Sequence, residues 1–241
     1  MKGFLETVKN QYFGDVNDYR KYGLLRTLSG RGEISMGVCW MLTPSDGRAD
    51  GAFVGYLDQP VRWRAYDPEL YEFLVDCVRE RGERNVRLIE HSDLLPRALF
   101  HTALLHDTAS ERRGYFRDVL ERFREVDLIF FDPDNGFEVR SKPYGRRDSS
   151  KYLYWREVVD AFAAGHSVLV YQHFARELRD AFVQRLAGKL RLDTGAHTIR
   201  SFRTPHVAFF LAVRPEHEEK LERNASRIAD VWQGQIHALR H

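Results

Sequence analysis

The chain has 241 residues, of which 43% are hydrophobic and 30% are charged, and its formal net charge is +2. This length can bury one substantial core, so we expect a single domain over residues 1–241. The near-neutral total does not imply a strongly electrostatic binder of nucleic acid. We expect no signal peptide and no membrane span, since the first residues lack a hydrophobic segment and no apolar run is long enough to cross a bilayer. Its two cysteines, Cys39 and Cys77, lie in apolar runs without metal-ligand spacing. We therefore expect a reduced, cytoplasmic protein with no membrane partner.

The first 30 residues differ in character from the rest of the chain. Residues 9–25 mix aromatic, acidic, amide and basic groups ahead of an apolar helix around residues 23–28. Such a mixture exceeds what a helix cap needs, although Asp15 or Asn17 could cap and the tyrosines could cover the edge of a sheet. We therefore predict an N-terminal helical segment over 1–30 that packs near the site, with a purely structural role as the alternative.

Strand-like and helix-like segments alternate after this opening. Apolar runs predict strands over 37–42, 61–66, 86–90, 127–131, 167–171, 197–202 and 207–213, and periodic patterns predict helices over 68–81, 114–124, 151–164, 176–190 and 216–233. This alternation predicts an α/β fold with a doubly wound, mainly parallel, Rossmann-like sheet. The last two strands, on either side of a Thr-Pro turn, predict a C-terminal antiparallel strand pair, which is typical of the methyltransferase type of that fold.

The run from Asp127 to Gly136 is the strongest candidate for a site. It is an apolar strand that ends in Asp132, Pro133, Asp134 and Asn135. Open α/β sheets bind ligands beyond the carboxyl ends of their strands, so these residues lie where a site is expected. The alternative is a simple tight turn, for which Pro, Asp, Asn and Gly are the usual residues.

The next predicted strand ends near His173, which therefore projects toward the same edge. A histidine with an ordinary pKa near 6.5 suits a general base at neutral pH. The alternative is a hydrogen-bonded structural residue.

A basic segment follows the Asp-Pro-Asp-Asn loop directly. It also contains proline, glycine and serine residues, so we predict a mobile basic loop beside the site, with phosphate as its ligand. Its cationic residues are Arg140, Lys142, Arg146, Arg147 and Lys151. Two other basic clusters, over 79–87 and 185–191, fit solvated helix faces equally well.

Three carboxylates allow a second interpretation. Asp18, Asp132 and Asp134, with Asp46 or Asp93, could gather Mg²⁺ or Mn²⁺, for which carboxylate oxygens are suitable ligands. Such a metal would make the protein a phosphodiesterase or nuclease, in which Lys21, Lys151, His173 or Arg176 would stabilise developing charge. A third interpretation is a scaffold of the same fold that has lost catalysis and binds a partner.

Several motifs resemble, in their order, the ribosomal RNA large-subunit adenine-N6 methyltransferase family. Members of that family begin with His-Ala-Asp-x-x-Lys-His, for which residues 17–22 stand here with Asp18 and Lys21 kept, and they later carry Asp-Pro-Pro-Tyr, for which residues 132–135 stand. The likeness covers most of residues 10–175. It implies cofactor-binding roles for the loop that contains Thr43, Pro44, Ser45, Asp46 and Gly47, for Asp67 at a helix start and for Asp93 in an acidic turn.

The resemblance implies an S-adenosylmethionine-dependent methyltransferase that acts on a nitrogen of nucleic acid, with RNA as the expected acceptor. Residues 132–135 would then orient the acceptor nitrogen, while Lys21, Arg146, Arg147 and Lys151 would contact phosphate. A sulfonium cofactor tolerates acids in its loop, and no phosphate-cradling Gly-x-x-x-x-Gly-Lys motif is present, which favours this cofactor over NAD or ATP. The sequence departs from the family at Asp134 and Asn135, where the ring that would stack on a flipped base is lost.

Overall fold

A computed structural model describes residues 13–44 and 53–241. These residues form a mixed α/β structure built on a seven-stranded sheet. The sheet strands are β1 (Met36–Cys39), β2 (Ala98–His101), β3 (Leu128–Phe131), β6 (Ser167–His173), β7 (Thr198–Arg203), β8 (Val207–Val213) and β9 (His237–Arg240). The short strands β4 (Gly136–Phe137) and β5 (Tyr152–Leu153) pair separately.

The helices connect these strands on both faces of the sheet. They are α1 (Val16–Ser29), α2 (Pro60–Trp63), α3 (Pro68–Val75), α4 (Arg87–Glu90), α5 (Ala109–Arg122), α6 (Trp155–Ala163), α7 (Arg179–Thr194) and α8 (Glu218–Val231). One buried cluster lies under α1, α3 and α8, and a second lies under α5, α6 and α7. No helix within the described residues is long and apolar enough to cross a membrane.

The strand order across the sheet is β2-β1-β3-β6-β8-β7-β9. The first four strands are parallel, and β8, β7 and β9 continue the sheet through antiparallel pairings. The predicted α/β class and the antiparallel β7/β8 pair are confirmed. The sheet is more mixed than predicted, because three of its six pairings are antiparallel and β9 was not expected.

Two predicted strands are wrong. Residues 61–66 contain helix α2, because Pro60 stands at its first position and presets the helical φ. Residues 86–90 contain helix α4, with Ile89 buried. The strand on the outer side of β1 is instead β2. Only one of its four residues is buried at this edge of the sheet, so its apolar signal is weak.

Helix α1 begins earlier than the apolar pattern indicated, and capping explains its start. The Asp15 side chain accepts hydrogen bonds from the backbone N–H groups of Asn17 and Asp18, at 2.7 and 2.9 Å. Gly23 then allows α1 to pack closely on α8, since a Cβ at that position would lie 1.8 Å from the Trp232 ring. The part of the predicted N-terminal segment before residue 13 lies outside the described residues.

Candidate functional site

The carboxyl ends of the parallel strands β1 and β3 lie side by side, which is where open α/β sheets form a ligand-binding crevice. The connection that follows β1 contains α2–α4 and packs with the first core cluster, whereas the helix that follows β3 is α6 and packs with the second. The chain therefore leaves neighbouring strands toward opposite faces of the sheet. In open α/β sheets, ligands bind at such a switch point, outside the carboxyl ends of the strands.

Lys21 joins the first helix to this edge of the sheet. Its Nζ lies 2.8 Å from Asp132 Oδ2, just beyond β3, and 2.8 Å from Asp18 Oδ1, one turn earlier on α1. The side chains of Lys21 and Asp132 are only 10% and 15% exposed. The fold therefore brings together Asp18, Lys21 and Asp132, three of the predicted site residues, although Lys21 and Asp132 are 111 positions apart.

Burial and charge act against each other in this cluster. Loss of solvation raises the pKa of Asp132 to about 6, while the neighbouring Lys21 ammonium opposes the shift. Burial also opposes the charge of Lys21, but Asp132 and Asp18 together raise the pKa of Lys21 well above its usual value. The ammonium is thus held charged between two carboxylates.

Aromatic rings line the same cluster. The Lys21 Nζ lies 5.3 to 5.9 Å from the ring centroids of Tyr22, Trp40 and Tyr171. Rings at this distance attract a cation and exclude water from it. These three aromatic residues were not selected from the sequence, because nothing in a strand or helix pattern separates a ring that lines a site from one that fills a core.

Asp134 is connected to the end of β1. The Thr43 hydroxyl donates to Asp134 Oδ2 at 3.0 Å, so the loops after β1 and β3 are tied together. Met41, a buried residue between β1 and Thr43, has a φ of +49°, a backbone conformation that costs energy in a residue other than glycine. Pro44 is the last described residue of this loop, and the predicted cofactor residues Ser45, Asp46 and Gly47 lie outside the described residues.

Gln172, a buried polar residue inside apolar β6, shapes the Asp-Pro-Asp-Asn loop from behind. Its Oε1 accepts the N–H of Phe137 at 2.7 Å, and its Nε2 donates to the carbonyl of Asn135 at 3.2 Å. Gly136 has a φ of +112°, and a Cβ there would lie 2.2 Å from Gln172 Oε1. Sequence reasoning missed Gln172, although an amide in an apolar strand was a usable signal.

His173 lies at the end of β6, as predicted. Its backbone N–H donates to the Asn135 carbonyl at 3.2 Å, and its Nε2 lies 3.3 Å from the Tyr171 hydroxyl. The β3/β6 register places Tyr171 beside Asp132. His173 therefore contacts the loop through its backbone, and its ring contacts Tyr171.

The structure gives Asp67 and Asp93 surroundings that differ from those implied by the resemblance. Asp67 caps α3 and forms an ion pair with Arg26 at 2.7 Å. Asp93 is exposed in the turn before β2, on the amino side of that strand. The contacts of Asp67 are those of a structural residue, and neither carboxylate has a recorded contact with the Asp132 cluster.

The basic loop leaves the site and returns to it. The Asn135 N–H donates to the Lys151 carbonyl at 3.0 Å, which closes the loop beside Asp132. Lys142 and Lys151 both pair with Asp148, at 2.6 and 3.3 Å. Arg146 and Arg147 are exposed, so they are more accessible to an external anion than the two lysines.

The carboxylate cluster does not have the arrangement of a metal site. Within residues 13–44 and 53–241, no group of three or more His, Cys, Asp or Glu could hold a metal ion. Lys21 lies where a cation shared by Asp18 and Asp132 would lie. The metal-dependent interpretation stays a prediction, since Asp46, one of its expected ligands, lies outside the described residues.

Comparison with known proteins adds little. No family model matches the chain, and no significant match to a curated protein is found. One similar solved structure is the protein LPL1258 of Legionella pneumophila strain Philadelphia 1, assigned to family DUF519. It is 12% identical, with a TM-score of 0.46, and the match covers 95% of this chain and 96% of that one. A likeness at this level supports no conclusion about activity.

Proposed function

We propose that this chain is an S-adenosylmethionine-dependent methyltransferase that acts on a nitrogen of nucleic acid, with RNA as the favoured acceptor. The observation that carries the proposal is the buried Asp132 carboxylate, held by Lys21 at the crevice between β1 and β3. Parallel strands β2, β1, β3 and β6 followed by an antiparallel pair are compatible with the methyltransferase type of sheet.

The charges around the crevice fit a sulfonium cofactor. Among the described residues, Asp18 and Asp132 place two carboxylates around the ammonium of Lys21, so this group of three is negative when all are ionised. A group with a positive centre and no phosphate suits this environment, whereas a nucleotide phosphate would be repelled. Thr43 and Pro44, at the end of β1, are the described residues that we expect to border the cofactor, which would supply the methyl group.

Asp132 is the group that we expect to receive the acceptor nitrogen. Lys21 donates to Oδ2, so Oδ1 is the oxygen that we expect to accept a hydrogen bond from an amine. Because Lys21 is anchored by Asp18 as well, the carboxylate is held in one orientation before substrate binds. Tyr171 is half-buried beside Asp132. Its aromatic ring could take the place of the ring that the family motif carries where this chain has Asn135.

The proposal is tested by transfer of a labelled methyl group. Purified protein is incubated with tritium-labelled S-adenosylmethionine and, separately, unmodified RNA and DNA, and label in the polymer is counted. We expect label in RNA, and at least a hundredfold loss with Asp132→Ala, which leaves Asp18 to pair with Lys21 and keeps the fold. Asp230→Ala, at an exposed position of α8, is the matched control.

Two outcomes would contradict the proposal. Full activity in the Asp132→Ala variant would remove Asp132 from the chemistry. Absence of transfer to any nucleic acid, in a protein that binds the cofactor, would favour the scaffold that binds without catalysis.

A further inference from the structure

A cleft of about 560 Å³ lies on the α5–α6 side of the sheet, apart from the Asp132 crevice. Its walls are helices α5 and α6 and the basic loop, which contributes Tyr144. Clefts of roughly 300 to 1,000 Å³ are typical of binding sites for small molecules or single residues of a polymer. Nothing in the proposed chemistry at Asp132 uses this cleft.

The cleft is polarised along its length. Arg113 and Arg156 lie in the amino-terminal halves of α5 and α6, whereas Glu121 and Asp160 lie further along the same helices. Both helices start on the side of the carboxyl ends of the strands that precede them, because each belongs to a crossover between parallel strands. The basic end of the cleft therefore faces the same side of the sheet as Asp132, where the helix N-termini add positive partial charge.

The arginines at the basic end are available to a ligand. Arg113 and Arg156 are exposed, and neither forms an ion pair or hydrogen bond with a residue in the described part of the chain. Arg117, also in the lining, pairs only with exposed Asp118 at 3.2 Å. An exposed pair of this kind contributes little, so an incoming phosphate can compete for the guanidinium.

Arg156 is also arranged for stacking. Its guanidinium lies 3.6 Å from the centroid of the Tyr144 ring, and Tyr144 packs edge-on against Tyr154 with centroids 5.0 Å apart. A guanidinium stacked on one ring keeps its other face and its edge donors for a base and a phosphate. This combination suits a nucleotide better than a free anion.

The cleft is tied to the Asp132 site by a buried ion pair. Arg112, fully buried, pairs with Glu157 at 2.6 Å and donates to the carbonyls of Ser149 and Tyr152, at 2.9 and 2.6 Å. These bonds fix the return of the basic loop, which closes on Asn135. The Arg112–Glu157 ion pair therefore stabilises both the cleft and the loop that contains Asn135.

We propose that the basic end of this cleft binds a nucleotide that flanks the acceptor in single-stranded RNA, with Arg113 on the phosphate and Arg156 stacked on the base. The inference rests on the proposed function, because it names where the substrate of that site continues. Double-stranded RNA fits less well, since its bases are not available for stacking.

The test measures the affinity for a fluorescein-labelled, mixed-sequence single-stranded RNA oligonucleotide by fluorescence anisotropy over a series of salt concentrations. For Arg113→Gln/Arg156→Gln we expect at least tenfold weaker binding, from loss of both the phosphate contact and the stacking, and a salt slope smaller by about 0.7, as expected for one lost phosphate contact on a single strand. Arg223→Gln/Arg227→Gln removes the same charge from exposed positions on α8, on the opposite face of the sheet, and should bind within twofold of the parent. If the double variant fails to fold, Arg113→Gln alone should reduce the slope by about 0.7.

Wild-type affinity in the Arg113→Gln/Arg156→Gln variant would overturn the inference, as would equal loss in the α8 control or equal affinity for a duplex. Cofactor binding, measured on the same variants, separates this failure from failure of the proposed function. If the variants bind RNA more weakly but the protein does not bind S-adenosylmethionine, the inference about the cleft is supported and the methyltransferase proposal is contradicted. If the Arg113→Gln/Arg156→Gln variant binds RNA normally and still transfers methyl groups, the inference about the cleft is contradicted and the methyltransferase proposal is supported.

Discussion

Lys21 sets the protonation of the catalytic carboxylate that we propose. Its ammonium opposes the effect of burial on Asp132, and the balance leaves the pKa of Asp132 at about 6. Only the ionised carboxylate can accept a hydrogen bond from Lys21 at Oδ2 and another from an amine at Oδ1 without carrying a proton itself. We therefore expect the rate of methyl transfer to fall below about pH 6, roughly tenfold for each further pH unit once Asp132 is mostly protonated.

The Lys21→Met variant tests the cause of this pH dependence. Without the ammonium, the pKa of Asp132 rises, so the acid limb of the pH–rate profile should move to higher pH. Asp15 is the control, because burial and the charge of Asp18 also raise the pKa of Asp15 to about 6, although Asp15 caps α1. Asp15→Asn keeps a capping side chain and should leave the limb in place. A limb that disappears with Asp15→Asn, or does not move with Lys21→Met, would contradict the assignment to Asp132.

At the scale of the elements, the loop after β3 depends on one glycine. Gly136→Ala places a Cβ against Gln172 in a backbone conformation with φ of +112°, so we expect the free energy of unfolding to fall by about 2 kcal/mol or more. Gly188→Ala, in the middle of α7 with open space around it, should raise the free energy of unfolding by about 0.5 to 1 kcal/mol. Urea denaturation measures both, and a Gly136→Ala protein as stable as the parent would refute the account of this loop.

Elements with a strong pattern could be predicted, and elements that depend on tertiary contacts could not. The apolar runs that become β3, β6 and β8 are buried in the middle of the sheet and read clearly. The alternating apolar residues between β1 and β2 led to the prediction of two strands in this segment. Pro60 and tertiary packing instead make short helices there, and the edge strand β2 is too exposed to give a signal.

The candidate site also depends on contacts between residues that are far apart in the sequence. Asp132 and its turn were predicted from the strand that precedes them, and Asp18 and Lys21 from the family resemblance. No local pattern could show that Lys21 would pair with Asp132, since the contact spans 111 positions. Gln172, which shapes the loop, and Arg112, which anchors it, are distant in sequence in the same way.

At the scale of the whole molecule, the strand order explains why the groups converge. The chain departs from β1 and β3 toward opposite faces, which is the arrangement of a switch point, and α1 brings Lys21 to Asp132 at the end of β3. The basic loop and the basic end of the α5–α6 cleft lie on the same side of the sheet. A net charge of only +2 is compatible with a local surface for RNA, because the exposed Arg113, Arg156, Arg146 and Arg147 belong to the cleft and the basic loop.

Binding of S-adenosylmethionine beside Asp132 can be measured by equilibrium dialysis of the purified protein against the tritium-labelled cofactor. We expect saturable binding of one cofactor per chain, weakened at least tenfold by Thr43→Val, which removes the hydroxyl that holds Asp134. Thr194→Val, at the end of α7, should bind like the parent. A folded protein that binds no cofactor at millimolar concentration would contradict the account.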